Sequence, residues 1–275
     1  MNKEQIEEYN KNGFCIISGL LPIVDCNNVL TDIHSLVRFQ LKRFEPNLVG
    51  EKLGNVESLA NEMQRLLKFD VSAYLAFARR ASKLVNLHRY LSHNNILSLL
   101  SNLNFELPTI VTEPVLHISS DKLIIPNGYA GFETHQDWPS IQGSIDCVVL
   151  WAPLVDVSSI NFPLQVIPGS HKKGLYKGEI TENILRIDPK EYNYQKHTSI
   201  EVKAGDVVVM SSWTLHQTGM QNSTGFRLAC STRYDNSSEQ TFINRGYPCA
   251  YQRSVKRELI TANFPIENQI LMFFE

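Results

Sequence analysis

Between Pro108 and Tyr234 the chain is built from short runs of β-branched and aromatic residues separated by turn formers, and this pattern limits the fold more than any other feature. Period-2 runs of this kind predict strands at Val115–Ser119, Phe132–Asp137, Ile145–Trp151, Leu164–Ile167, Ser199–Val202, Asp206–Ser211 and Phe226–Tyr234. Between them stand Pro126-Asn127-Gly128, Pro168-Gly169-Ser170, Ala204-Gly205-Asp206 and Ser223-Thr224-Gly225, all turn signals. Many short strands in close succession predict an antiparallel sandwich or barrel.

The chain ahead of Pro108 reads differently. Residues 3–10 form a short polar helix candidate, an Asn12-Gly13 turn follows, and Phe14–Ser18 is an apolar strand. From about Ile23 to Leu103 the pattern is helical. Asn55–Leu67 and Val71–Leu91 carry apolar residues at spacings of three and four, as helices packing on a sheet would. The tail from Ser237 has no clear pattern. With no repeats and no low-complexity linker, we expect one domain over 1–275: a helical region, about 23–105, packed on a β core, about 108–235.

Composition excludes several classes. The 275 residues are 43% hydrophobic and 20% charged, with a formal net charge of -2. No basic stripe marks a nucleic-acid binder. No apolar run is long enough for a membrane span. The N-terminus is charged and has no apolar signal region, and the five cysteines are scattered with no C-x-x-C. We therefore expect a reduced, cytoplasmic protein.

The chemistry concentrates in the β region. In His135-Gln136-Asp137 the first and third residues of an extended segment share a face, so an imidazole and a carboxylate can approach one ion. His216 follows the strongly apolar Val207–Ser211 and could supply a second imidazole. Two histidines and one carboxylate on one face of a metal leave positions open for oxygen and an organic co-substrate, as in non-haem Fe(II) oxygenases. An isolated H-x-D triplet is a weak signal, and His135 could equally be a hydrogen-bonded strand residue. Eleven residues after His216 stands Arg227. Alternation puts it with Ala229, Ser231 and Arg233 on a small, polar face, where a guanidinium can grip a carboxylate with two donors. Thr218 could add a hydroxyl. Taken alone, Arg227 is better explained by a surface pairing with Asp235 or Glu239.

Taken together, these segments resemble the phytanoyl-CoA dioxygenase family of iron and 2-oxoglutarate enzymes. The likeness is carried by EQIEEYNKNGFCIISGLL (4–21), THQDW (134–138), the stretch from Val148 to Pro153, VIPGSHKKG (166–174), AGDVVVMSSWTLHQTGMQNST (204–224) and FRLACSTRY (226–234), in the family's order. It covers the opening twenty or so residues and nearly all of 130–235. The resemblance implies a mainly β fold with flanking helices and a double-stranded β-helix core (jelly-roll, cupin-like). It implies Fe(II) held by His135, Asp137 and His216, and 2-oxoglutarate held by Arg227 with Thr218 beside it. Gln136 becomes a polar neighbour of co-substrate or substrate, and Trp151 an aromatic lining the cavity. His171 matches a family motif and reads as structural or pocket-edge.

The activity so implied is a dioxygenase hydroxylating a small molecule with release of succinate and CO2. Its partners are that substrate, 2-oxoglutarate and O2, with no nucleic acid and no membrane. Related enzymes that halogenate lack the acid of the triplet; Asp137 is present here, so hydroxylation is expected. His117, Tyr129, Trp138 and Trp213 are candidates for the pocket, and their polar, aromatic mix favours a small polar or sugar-like substrate over a bare fatty chain. A cupin-like isomerase or ligand-binding protein could use the same three ligands without needing Arg227.

Overall fold

The computed structural model describes residues 1–49, 53–125, 131–181 and 184–250, together with Met272. The turn at Pro126–Gly128 and the pocket candidate Tyr129 lie outside the described residues. Helix α1 (Lys3–Asn12) opens on a reciprocal cap: the Asn2 side chain accepts from the Gln5 amide at 2.9 Å, and the Gln5 side chain accepts from the Asn2 amide at 2.8 Å. It ends at Gly13, whose φ of +82° is the left-handed closure that glycine reaches without a Cβ penalty. Strand β1 (Phe14–Ile17) follows. Helices α2 (Ile23–Leu41), α3 (Val56–Phe69), α4 (Val71–Ala81), α5 (Val85–Leu91) and α6 (Asn94–Asn102) form the helical region.

The remaining elements are β2 (Pro108–Ile110), β3 (Val115–Ser120), α7 (Trp138–Ile141), β4 (Val148–Pro153), β5 (Leu164–Val166), β6 (Gly178–Thr181), β7 (Ile184–Ile187), β8 (Thr198–Ile200), β9 (Val207–Ser211), β10 (His216–Thr218), β11 (Phe226–Asn236) and α8 (Gln240–Asn244). The large sheet runs β1-β9-β4-β11-β2, with β3 also paired to β11, all antiparallel. A small sheet, β10-β5-β8, and the β6-β7 hairpin complete the strands. No helix among the described residues is long and apolar enough to cross a membrane.

Alternation along β4 and β9 explains why these strands read as unbroken apolar runs. Val148, Leu150, Ala152, Val207 and Val209 pack with α2 residues such as Ile33 and Val37 in one core layer. Val149, Trp151, Val208 and Met210 pack with Leu164 and Val166 of β5 and Ile200 of β8 in a second layer. Both faces of the large sheet are thus covered, and each fully buried Val or Leu contributes roughly 1.5–3 kcal/mol.

The expectation of a mainly β, closed jelly roll needs correction. The described chain places more residues in helices than in strands, and its sheets do not close into a barrel. The fold is mixed α/β, with a helical layer on a large sheet whose other face meets a small sheet, and it is related to the double-stranded β-helix. The reason lies partly in residues 132–137, which the pattern reads as a strand. Here the backbone serves side chains: the Glu133 carbonyl accepts from the His135 ring, and the Asp137 and Trp138 amides both donate to the Ser212 carbonyl at 3.0 Å. Of the expected ladder there remain two isolated bridges from His135, one to Arg186 and one to His216.

Candidate metal centre

The bridge to His216 is what builds the site. His135 pairs antiparallel with His216: each amide donates to the other's carbonyl, at 3.0 and 3.1 Å, so the two imidazoles stand with ring centres 4.2 Å apart. Each ring is fixed from behind. The Nδ1 of His135 lies 2.7 Å from the Glu133 carbonyl, and that of His216 lies 2.9 Å from the Thr214 carbonyl. A carbonyl can only accept, so both Nδ1 atoms carry the proton and both Nε2 lone pairs face Asp137. The Asp137 Oδ1 is 3.7 Å from the His135 Nε2, and Oδ2 is 3.9 Å from the His216 Nε2. One ligand atom from each residue falls within 4.8 Å of the others, and all three side chains are buried.

The protonation states suit metal binding. Burial, and then the neighbouring His216, lower the His135 pKa to about 3, so its lone pair is available at neutral pH. For Asp137 burial pushes upward, but the Arg233 guanidinium and the two imidazoles outweigh it and hold the carboxyl at about 2. The donor set, two imidazoles and one carboxylate converging on one side, fits a divalent first-row metal with open positions.

Arg233 is the residue that sequence reasoning placed on the right face and gave no role. Its Nε and Nη2 lie 3.2 and 3.0 Å from Asp137 Oδ2, and Nη2 lies 3.2 Å from Oδ1. Its Nη1 donates to the Ser231 hydroxyl at 2.9 Å, and that hydroxyl is 2.9 Å from the His117 Nε2. The spacing of six from Arg227 on one strand was the available signal, because even spacing keeps both guanidiniums on the same face.

The two histidines line a narrow cavity between the sheets, shared with His117, Phe132, Trp151, Thr218, Arg227 and Arg233, the last of which holds Asp137. Arg227 is 3% exposed, so the surface pairing with Asp235 or Glu239 does not occur. Asp235 instead accepts from Ser144, and Glu239 caps α8. The Arg227 guanidinium donates to the Phe162 carbonyl and, at 2.8 Å, to the Ser119 hydroxyl, and it lies 5.8 Å from the centre of the Trp151 ring. The Thr218 hydroxyl accepts from the Phe132 amide at 3.3 Å. Burial, followed by Arg227 and Arg233, lowers the His117 pKa well below 6.5.

Three expected pocket residues lie elsewhere. Gln136 points away from its neighbours in the triplet, as alternation requires. Its amide donates to the Gly174 and Trp213 carbonyls at 2.8 and 2.6 Å, and it accepts from the Tyr176 amide at 3.1 Å. With donors and acceptor engaged at 0% exposure, it fastens the 174–176 loop and does not face the cavity. Trp138 and Trp213 stack on each other at 4.4 Å, their indole N–H groups taken by the Ser144 and Ile145 carbonyls. His171 is structural: it packs against Gly13, and its Nε2 lies 3.3 Å from the Asn10 carbonyl.

The two-histidine, one-carboxylate site between these sheets defines the class, that of mononuclear metal enzymes with open coordination positions. Residues 9–229 match the family model described as Phytanoyl-CoA dioxygenase (PhyH), and the chain belongs to that family. It is 29% identical over 166 residues to "Phytanoyl-CoA dioxygenase 1" of Oryza sativa subsp. japonica, and 36% identical over 74 residues to "Phytanoyl-CoA dioxygenase" of Arabidopsis thaliana. These matches span 56% of this chain and of the rice protein, and 26% of this chain and of the Arabidopsis protein. Among solved structures the fold is similar to that of the epimerase SnoN in complex with Fe3+, alpha ketoglutarate and nogalamycin RO: TM-score 0.56, 15% identity, covering 86% of this chain and 84% of that one. It is also similar to the non-heme monooxygenase ThoJ, with TM-score 0.54 and 17% identity, covering 84% of this chain and 76% of that one.

Proposed function

We propose that the chain is a non-haem Fe(II)- and 2-oxoglutarate-dependent dioxygenase that hydroxylates a small polar metabolite. One observation carries this reading: a buried guanidinium, Arg227, lines the same cavity as His135 and His216, which converge with Asp137. A cupin-like isomerase would need the three ligands but no such cation.

Bound iron would supply the Lewis-acid and one-electron chemistry that activates dioxygen with the co-substrate. The protein's own work is orientation and exclusion of water. His135, Asp137 and His216 are the residues that would hold the metal. Arg227 takes the co-substrate carboxylate remote from the metal, with the Thr218 hydroxyl beside it. Phe132, Trp151 and Met210 wall the cavity with apolar surface, which keeps bulk water from the reacting atoms. His117, neutral near pH 7, can donate or accept one hydrogen bond there without adding charge.

The substrate path is an open groove that shares Phe132, Gln217 and Thr218 with the metal cavity and is also lined by Thr134, Tyr192 and Tyr194. Hydroxyls, an amide and aromatic faces suit a polar, hydroxylated molecule better than a bare acyl chain. The fold alone does not select the outcome, since its relatives include an epimerase and a monooxygenase. Asp137 occupies the position that a metal-bound halide would need, so hydroxylation is favoured over halogenation. A cytoplasmic setting is supported by Cys15, Cys26, Cys147 and Cys230, all buried thiols without a disulfide.

The test is succinate release and oxygen uptake by the purified chain supplied with Fe(II) and 2-oxoglutarate, across a panel of hydroxylated metabolites. Product is examined by mass spectrometry in excess chloride. Substrate-stimulated succinate with an oxygen atom added to the substrate is expected. No consumption of 2-oxoglutarate under any condition would refute the reading, and a chlorinated product would refute the role given to Asp137.

A further inference from the structure

We propose that Arg233 is a positioning residue that makes Asp137 a one-oxygen ligand, and so keeps open the full set of metal positions that the co-substrate and oxygen must share. The inference rests on the Fe(II) and 2-oxoglutarate reading above and assigns a task that neither the three ligands nor Arg227 can perform.

A carboxylate ligand has two ways to meet a metal. Through one oxygen it uses one coordination position; through both it chelates and uses two. With two imidazoles already bound, a chelating aspartate leaves one position fewer for a bidentate keto acid and oxygen. Nothing in the two histidines decides between these modes. Asp137 Oδ1 lies 3.7 Å from one Nε2 and Oδ2 lies 3.9 Å from the other, so the two oxygens stand almost equally close to the ligand cluster.

Arg233 breaks that symmetry. Each carboxylate oxygen offers about two lone-pair directions. Oδ2 receives two N–H groups, from Nη2 at 3.0 Å and Nε at 3.2 Å, which fills it. Oδ1 receives one, from Nη2 at 3.2 Å, and keeps a lone pair for the metal. The geometry therefore assigns Oδ1 as the ligand atom and Oδ2 as the oxygen held back.

The guanidinium is itself fixed. It is on β11, whose Ser231 and Arg233 pair with Trp151 and Val149 of β4, and its Nη1 is spent on the Ser231 hydroxyl. At 7% exposure Arg233 has little room to swing away, and a planar fork holds both oxygens in one plane where a lysine ammonium would act as a single point.

The test uses Co(II) in place of iron, because its visible absorption reports coordination number without turnover. The unsubstituted protein, Arg233→Met and Arg233→Lys are each titrated with Co(II), then with 2-oxoglutarate, and compared by circular dichroism for folding. For Arg233→Met the Co(II) affinity should hold or rise, the bands should change in intensity as the carboxylate chelates, and the 2-oxoglutarate Kd should rise about tenfold or more, because the second carboxylate oxygen then competes with the keto acid and oxygen for the metal's positions. Arg233→Lys, which keeps the charge and one donor, should recover part of the 2-oxoglutarate affinity. Ser231→Ala, which loosens the guanidinium without removing it, should shift the same bands in the same direction by less.

Arg233→Met or Arg233→Lys that folds and shows the unsubstituted spectrum and 2-oxoglutarate affinity would overturn the proposal while leaving the functional reading intact. Loss of Co(II) binding in both folded variants would also overturn it, since Arg233 would then be needed for the metal itself. Failure of the unsubstituted protein to bind Co(II), or to respond to 2-oxoglutarate, would remove the functional reading and this proposal together.

Discussion

His135→Ala or His216→Ala leaves one imidazole and one carboxylate, too few donors to hold Fe(II) against water. Iron retention after gel filtration should fall from about one ion per chain to a trace in either variant, measured by inductively coupled plasma spectrometry. Arg227→Ala should leave that stoichiometry unchanged and raise the 2-oxoglutarate Kd by one to two orders of magnitude, because a hydrogen bond to a charged group contributes about 1.5–3 kcal/mol. Equal 2-oxoglutarate affinity in this variant would show that another group holds the carboxylate. The H-x-D pair and the His216–Arg227 pair are legible in the sequence because their spacings are local, two residues apart in one segment and eleven apart across one turn, whereas the likeness to the family is what joins the two pairs in one site. The contact of Arg233 with Asp137 spans 96 positions and depends on which strands are neighbours, so the even spacing from Arg227 gives the face of Arg233 and not the partner it meets there. Gln136 misleads for the opposite reason. Its position beside two ligands invites a role in the pocket, yet alternation turns it to the far side, where two carbonyls and an amide are waiting.

Among elements, the helices and the apolar strands follow from periodicity, and the exceptions are informative. Val71–Leu91 reads as one helix but divides into α4 and α5. The buried positions of α4 are Ala73, Tyr74, Phe77 and Ala81, and those of α5 are Leu87, Tyr90 and Leu91. An unbroken helix would carry Val85 on the buried stripe, whereas it is 65% exposed, so the chain breaks and re-registers its apolar face. The link from α1 to β1 carries a sharper prediction. At Gly13 an added Cβ would stand 2.4 Å from the His171 Nδ1 and 2.6 Å from the Thr214 Oγ1, on backbone at φ +82°. Gly13→Ala should therefore cost at least about 1–2 kcal/mol from the left-handed conformation alone, more with the collision. Adding His171→Ala should return the His171 share of the collision and leave the Thr214 share and the backbone part. Urea unfolding of the two variants separates these contributions, and an unchanged midpoint for Gly13→Ala would show that the cap is not what closes the helix.

For the whole molecule, acid is the sensitive variable. Burial lowers the pKa of His117, His135, His171 and His197, so the folded chain binds fewer protons than the unfolded chain as pH falls below about 6.5. Stability contributed by these neutral rings is full above that value and declines steadily below it, down to about 3 for His135. Asp137 acts in the same sense at lower pH: its contribution is present above 3.8 and lost as pH falls through about 2. The unfolding temperature of chelator-treated protein should thus drop between roughly pH 7 and pH 5, read by differential scanning fluorimetry, and a flat profile would contradict the buried neutral histidines. The backbone bridge between His135 and His216 carries a last consequence. The two imidazoles are held side by side by backbone amide hydrogen bonds that involve no ion, so an ion has little chain to gather and its uptake need not be coupled to folding. A chelator should strip the protein without unfolding it. A rigid nitrogen-and-oxygen nest of this sort also has little means of refusing copper or zinc, which bind such donors more tightly than ferrous iron. Which ion sits there would then be decided by what the surroundings supply, and exposure to zinc becomes a route to inactivation that leaves the fold untouched.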